Sequence, residues 1–176
     1  MKKIQTLFTL FLLITLSFTT VKSNAMEKKK VEKVNVIMFT MKSTLSTIAQ
    51  DAGNIPMELM QKAEELGLEI TGPQIWQYRN VDGSPTSLFD MDICIPIKEA
   101  KGNAGKFIYK ELPEITCVSE IHKGAWSDLK NTYSRMMGEM TRNGMIPGNM
   151  SREVYLVCDF ENPENCLTEI QLLLHK

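Results

Sequence analysis

The sequence predicts an α+β domain made of two strand-helix-strand-strand units, with an antiparallel sheet and a cleft between the halves. Three observations predict it. Strand-like apolar alternation brackets stretches of helical period, the same order of elements occurs twice, and landmarks of the first copy return at constant spacing in the second.

Residues 1–25 read as an export signal. Lys2 and Lys3 give the positive start, residues 7–18 are almost wholly apolar, and Ser23-Asn24-Ala25 places small residues where a signal peptidase cuts. The apolar run is shorter than the roughly 20 residues a membrane-spanning helix needs, which favours a cleaved signal over an anchor. No cysteine lies near the cut, so a lipid anchor is not expected either. Cleavage after Ala25 would leave a bacterial protein in the periplasm or secreted, with no membrane association afterwards.

About 150 residues remain, the size of one domain. The whole chain carries a formal charge of −1, and the signal holds Lys2, Lys3 and Lys22 with no acid, so the remainder stands at −4. A weakly acidic chain lacks the basic face that binding to nucleic acid requires, so no nucleic-acid partner is expected. Residues 26–33, dense in lysine and glutamate, read as a charged, solvated leader, and the domain proper as 34–176.

The first unit covers 34–97. Residues 34–41 (Val-Asn-Val-Ile-Met-Phe-Thr-Met) are β-branched and apolar enough for a strand. Pro56 suits a first helical turn, Met57, Met60, Ala63 and Leu66 follow at helical spacing, and Gly67 supplies a stop. Residues 74–80 alternate as a strand, and Asp82-Gly83 with Pro85 marks a turn. Phe89, Met91, Ile93, Ile95 and Ile97 then alternate against Asp90, Asp92, Cys94 and Pro96, the pattern of a strand with one face in a core.

A polar connection with Gly102 and Gly105 leads to the second unit, 107–174. Residues 107–122 hold strand material that Pro113 divides. Residues 125–142 read as a helix whose core face is Trp126, Leu129, Tyr133, Met136, Met137 and Met140, ended by Gly144. Strands at 152–158 and 167–174 complete the unit. An offset of 77 carries Met60 onto Met137, Gly67 onto Gly144, Tyr78 onto Tyr155, Asp92 onto Glu169 and Ile93 onto Ile170. Internal duplication accounts for all five.

Four cysteines in an exported chain raise the question of disulfides. Cys158 and Cys166 flank a turn-rich segment and could be bridged, whereas Cys94 and Cys117 lie in apolar runs that suit buried thiols. No Cys-x-x-Cys pair occurs and the only histidines are His122 and His175, so neither a metal site nor a cofactor is expected.

The segment Glu69-Ile70-Thr71-Gly72-Pro73-Gln74-Ile75-Trp76-Gln77-Tyr78 is similar to the Gly-Pro and tyrosine stretch of the gyrase-inhibitor-like (GyrI-like) small-molecule-binding family. That family also supplies the effector-binding domains of AraC-type and MerR-type regulators. Residues 89–97 resemble its next strand, His122-Lys123-Gly124-Ala125-Trp126 its helix start, and Arg152-Glu153-Val154-Tyr155 with Thr168-Glu169-Ile170-Gln171-Leu172 its last two strands. The resemblance implies a ligand pocket between the halves, with a glutamate at the position of Glu153 facing the ligand. Asn54-Ile55-Pro56 departs from the pattern by interrupting the approach to the first helix. No DNA-binding helices precede the domain and export would remove it from any promoter, so the resemblance is not extended to transcriptional regulation.

Alternation puts Glu153 and Tyr155 on one strand face, and Trp76 and Tyr78 at the matching place in the other half. Facing a cleft, Glu153, Tyr155, Tyr78, Trp76, Trp126 and Tyr133 would make an acidic, aromatic pocket for a cationic or planar organic ligand. The alternative for Glu153 is an exposed strand residue paired with Arg152 or a lysine, and each aromatic could simply be core. The expected activity is therefore non-catalytic small-molecule binding. A hydrolase using Glu153 as base is the first alternative, and a module that binds another envelope protein is the second. His122 reads as a surface or capping residue at the end of a strand.

Overall fold

The computed structural model describes residues 26–175, and the export signal expected over residues 1–25 lies outside them. Its strands are β1 (Glu27–Val31), β2 (Val34–Ser43), β3 (Ile75–Arg79), β4 (Phe89–Pro96), β5 (Ile108–Leu112), β6 (Ile115–Lys123), β7 (Pro147–Val157) and β8 (Leu167–Leu174). Its helices are α1 (Ile48–Ala52), α2 (Ile55–Glu65) and α3 (Leu129–Arg142). The strands make one antiparallel sheet in the order β1-β6-β8-β7-β3-β4-β2-β5, so the fold is α+β as the sequence predicts. Only Pro113 and Glu114 separate β5 from β6, which lie toward opposite edges, and the sheet curls into a half-barrel to let them meet.

Within the six inner strands, β6-β8-β7 mirrors β2-β4-β3 about the central pair β7 and β3. The registers correspond too: Tyr78 stands opposite Met91 and Tyr155 opposite Thr168, pairs related by the offset of 77. The self-related pair under that offset, Trp76 and Glu153, sits face to face at the centre of the sheet.

The helices cover one face. α2 turns Leu59 and Ala63 onto Ile37, Met91, Ile93 and Ile95, and α3 turns Met136 and Met140 onto Val118, Ile170 and Leu172. Each of the leucine, isoleucine, valine and methionine side chains so removed from water stabilises the fold by about 1.5–3 kcal/mol. Gly67 and Gly144 end the two helices with φ of 58° and 64°, a left-handed turn that costs a glycine nothing.

The inner face of the half-barrel holds a second, smaller core of Val36, Met38, Ile75, Cys94, Leu112 and Val154. Beside it a row of polar residues runs from strand to strand: Thr40, Asp92, Gln77, Arg152, Gln171 and Ser119 occupy successive paired positions. Asp92 accepts hydrogen bonds from Thr40 Oγ1 (2.9 Å) and Gln77 Nε2 (3.1 Å) and is clamped by the Arg79 guanidinium. Arg152 donates through Nε to Gln77 Oε1 (2.9 Å) and through Nη2 to the Pro113 carbonyl (3.2 Å). Bonding of this kind offsets the cost of burying polar groups, and in the same row Gln171 Oε1 is buried without a hydrogen-bond partner among the described residues.

Four expectations change. Residues 27–31 are not a solvated leader but the edge strand β1: they pair with β6, and Lys29 and Lys30 reach Glu169 and Glu114 across the sheet. β5, assigned above to the second unit, pairs with β2 of the first, since the curl brings it back to that edge. β4 is buried on both faces, because the inner core and the polar row cover the side that carries Asp92 and Cys94. Met57 and Met137, both expected on core faces, are exposed, since α2 presents Leu59 and Ala63 to the sheet and α3 presents Met136 and Met140. No helix among the described residues is long and apolar enough to cross a membrane.

Met136 is fully buried and its neighbour Met137 is exposed. Met136→Ala should lose about 2–5 kcal/mol in urea unfolding by leaving a cavity under α3, whereas Met137→Ala should stay within about 0.5 kcal/mol. Equal losses would mean that the helix faces the sheet differently.

Candidate functional site

Glu153 lies at the midpoint of the sheet on the helical face, only 7% exposed. Three tyrosine hydroxyls donate to it. Tyr155 reaches Oε2 at 2.7 Å and Tyr78 reaches the same oxygen at 2.8 Å, while Tyr133, coming down from α3, reaches Oε1 at 3.1 Å. Period-two geometry turns Arg152 to the opposite face, so the exposed, arginine-paired reading of Glu153 does not hold. Burial is the largest influence on the carboxyl and pushes its pKa up, while the three hydroxyls and nearby His122 pull it down without cancelling the rise. Burial and the charge of Glu153 raise the tyrosines well above their ordinary range, so they stay protonated and remain donors.

Contrast Glu120, which faces the same side of the sheet with only Ile170 between it and Glu153 in the strand-to-strand row. Glu120 is neutralised by a two-armed bond from Arg135 on α3. Glu153 has hydrogen bonds from hydroxyls but no ion pair among the described residues.

A ladder of aromatic rings climbs from Glu153 toward solvent. Tyr155 meets Trp76 and Trp126, each with ring centroids 5.4 Å apart, and Trp126 meets Phe160 at 5.5 Å, all edge to face. Each such contact adds about 0.5–1.5 kcal/mol beyond area burial. The indole N–H groups are anchored, Trp126 on Thr168 Oγ1 (3.2 Å) and Trp76 on Gln74 Oε1 (2.9 Å).

The structure therefore brings together all six predicted residues: Glu153, Tyr155, Tyr78, Trp76, Trp126 and Tyr133. Around the carboxyl the rings of Tyr155, Trp76 and Trp126 pack on one another edge to face. Two surface cavities of about 680 and 300 Å³ lie elsewhere, one against Gly148 and Leu173, the other against Asn35 and Tyr109. His122 is buried rather than a surface residue: Nε2 donates to the Ala125 carbonyl at 3.1 Å, and Nδ1 shares a hydrogen bond with Thr132 Oγ1 (2.9 Å). Sequence reading missed Phe160 and Thr168. An aromatic residue alone in a polar turn was the available signal for Phe160; Thr168 gave none.

Among the described residues no group of three His, Cys, Asp or Glu side chains is placed to hold a metal. Cys158 and Cys166 are free thiols, with Cys166 buried and turned toward the Asp159 backbone, so the bridge raised from sequence is not formed in this structure.

Residues 24–175 match the GyrI-like small molecule binding domain. No curated protein sequence matches. Among solved structures, the crystal structure of the EcmrR C-terminal domain is similar with a TM-score of 0.72, 22% identity, and coverage of 86% of this chain and 98% of that one. SAV2435 bound to tetraphenylphosphonium is similar with a TM-score of 0.59 at 11% identity, over 86% of this chain and 94% of that one. A hydrolase from Listeria innocua gives 0.58 at 13%, over 89% and 94%.

A folded-state carboxyl pKa above the ordinary value means that the native state holds the proton more tightly than the unfolded chain. The stabilisation from that proton is complete below the ordinary glutamate value and is lost as pH rises through the folded-state value. Glu153→Gln should therefore melt higher than wild type at neutral pH, with the gap closing as the buffer is acidified. A variant less stable at every pH would show that the tyrosine bonds to the carboxylate outweigh its burial.

Proposed function

This chain belongs to the GyrI-like small molecule binding domain family, and from that premise we propose that it is an exported, non-catalytic protein whose Glu153 pocket takes a cationic or planar organic ligand. One observation carries the reading: a buried carboxylate surrounded by aromatic rings, satisfied only by hydroxyls, while Glu120 nearby has been given an arginine. A lipophilic cation would supply the missing charge, and the faces of Trp76, Trp126 and Tyr155 would contribute cation-π attraction and flat apolar walls. A ligand reaching the carboxylate from solvent would meet the edge-to-face contacts of Tyr155 with Trp76 and Trp126 first. The tetraphenylphosphonium held by SAV2435, a delocalised cation with apolar surface, is consistent with this chemistry.

Matching strand order and register in the two halves support duplication of one unit as the origin of the pocket's near-symmetry. A hydrolase remains the second reading, supported by the raised carboxyl of Glu153 as a candidate base and by the name of the Listeria innocua relative. An envelope-protein interaction module is supported by the exposed Leu156, Val157 and Phe160 at one end of β7.

Tetraphenylphosphonium should raise the melting temperature in proportion to the logarithm of its concentration, with about 2.7 kcal/mol of stabilisation at a hundredfold excess over Kd. Glu153→Gln should abolish the shift. A shift unchanged in that variant would remove the carboxylate from the reading, no shift with any cationic or planar compound would favour the interaction module, and new products in the incubation would favour the hydrolase. Export is checked separately: the protein recovered from a bacterial periplasm or medium should begin at Met26 by intact mass, and a full-length product retained in the cytoplasm would overturn it.

A further inference from the structure

Between β7 and β8 runs a loop, residues 158–166, that the binding reading has not used. Its Phe160 is 80% exposed yet packs edge to face on Trp126, the outermost rung of the ladder above Glu153. Asp159 organises the loop by accepting from the backbone N–H of Asn162 (2.8 Å) and the side chain of Asn165 (3.0 Å). The two ends of the loop are cysteines. Val157 and Leu167 are the last paired residues of the hairpin, and Cys158 and Cys166 are the first residues of the loop beyond that pair. The Asp159 backbone N–H already donates to Cys166 Sγ at 3.3 Å, placing that sulfur beside the peptide that joins Cys158 to Asp159. A paired position on antiparallel strands has the Cα separation a disulfide needs, and the two cysteines follow directly on such a pair, Val157 and Leu167.

We propose that the 158–166 loop is the lid of the Glu153 site, that Phe160 is a wall of the ligand pocket, and that a Cys158–Cys166 disulfide locks the lid. The inference rests on the binding reading for its ligand but not for the lid itself. In the closing reaction the Cys158 thiolate attacks one sulfur of a glutathione disulfide and expels a glutathione thiolate. The Cys166 thiolate then attacks Cys158 Sγ and expels the second. One Sγ–Sγ bond forms, the protein loses two protons and two electrons, and the oxidant leaves as two reduced thiols. The chemistry is selective. Cys94 and Cys117 are enclosed in the sheet with thiols pushed up to about 12 and about 11, whereas Cys158 is exposed. Partial burial holds the Cys158 thiol somewhat above its ordinary value, so bridging should speed up as the solution is made more alkaline.

The test compares the protein reduced and after equilibration with glutathione disulfide, following intact mass and acrylamide quenching of tryptophan. Oxidation should remove two hydrogens, lower the quenching constant as Phe160 is held over Trp126, and slow the release of tetraphenylphosphonium. Cys158→Ser should abolish all three changes. Phe160→Ala should keep the bond but lose the quenching effect. Failure of the pair to bridge, or a bridge that leaves quenching unchanged, would overturn the lid. Loss of quenching on oxidation in a protein that never binds tetraphenylphosphonium would keep the lid and overturn the cationic-ligand reading instead.

Discussion

The pairing of β3 with β7 is the joint on which the site depends, because it fuses the halves into one sheet and brings Trp76 opposite Glu153 at the centre. A strand pair fixes side-chain direction as well as neighbourhood. With Trp76 facing the helices, Glu153 faces them too, and Tyr78 and Tyr155 follow at two residues' distance along their own strands. α3 needs only to deliver Tyr133 from above. The three hydroxyls around the carboxylate thus come from both halves, and neither half alone would enclose it.

Glu120 and Glu153 show what the same face does with two buried acids. The first receives a guanidinium and becomes part of the scaffold. The second receives neutral donors, which satisfy lone pairs but leave its charge uncompensated in a medium of low dielectric. That difference in partners is what separates the two acids: among the described residues Glu120 is held by a cation, Glu153 by three hydroxyls alone.

Much of this was legible in the sequence because it depends on period. Alternation in β4 and helical spacing around Met136 and Met140 identify the elements, and the offset of 77 aligns Trp76 with Glu153 from the sequence alone. What period cannot express was lost. β1 is charged and looked like a leader, because an edge strand with salt-bridged lysines has the composition of a solvated segment. The destination of β5 depends on the curl of the whole sheet, a property of no single window of residues. The contact of Phe160 with Trp126 depends on a loop conformation set by Asp159, which no period in the sequence expresses.

Arg152 and Glu153 are consecutive residues of opposite charge on opposite faces of β7, one bonded into the inner polar row, the other set among tyrosines. Slipping β7 by one residue would exchange them, sending a cation to the tyrosine cluster and a carboxylate toward the Gln77 amide. The strand carries register irregularities on both sides of this pair, between Pro147 and Ser151 and between Tyr155 and Val157, so slack is taken up outside the central stretch and not within it. For the evolution of this chain the consequence is a strict ruler: single-residue insertions and deletions can be absorbed in the loops that join β3 to β4 and β7 to β8, but one placed between residues 151 and 155 would invert the polarity of both faces at once.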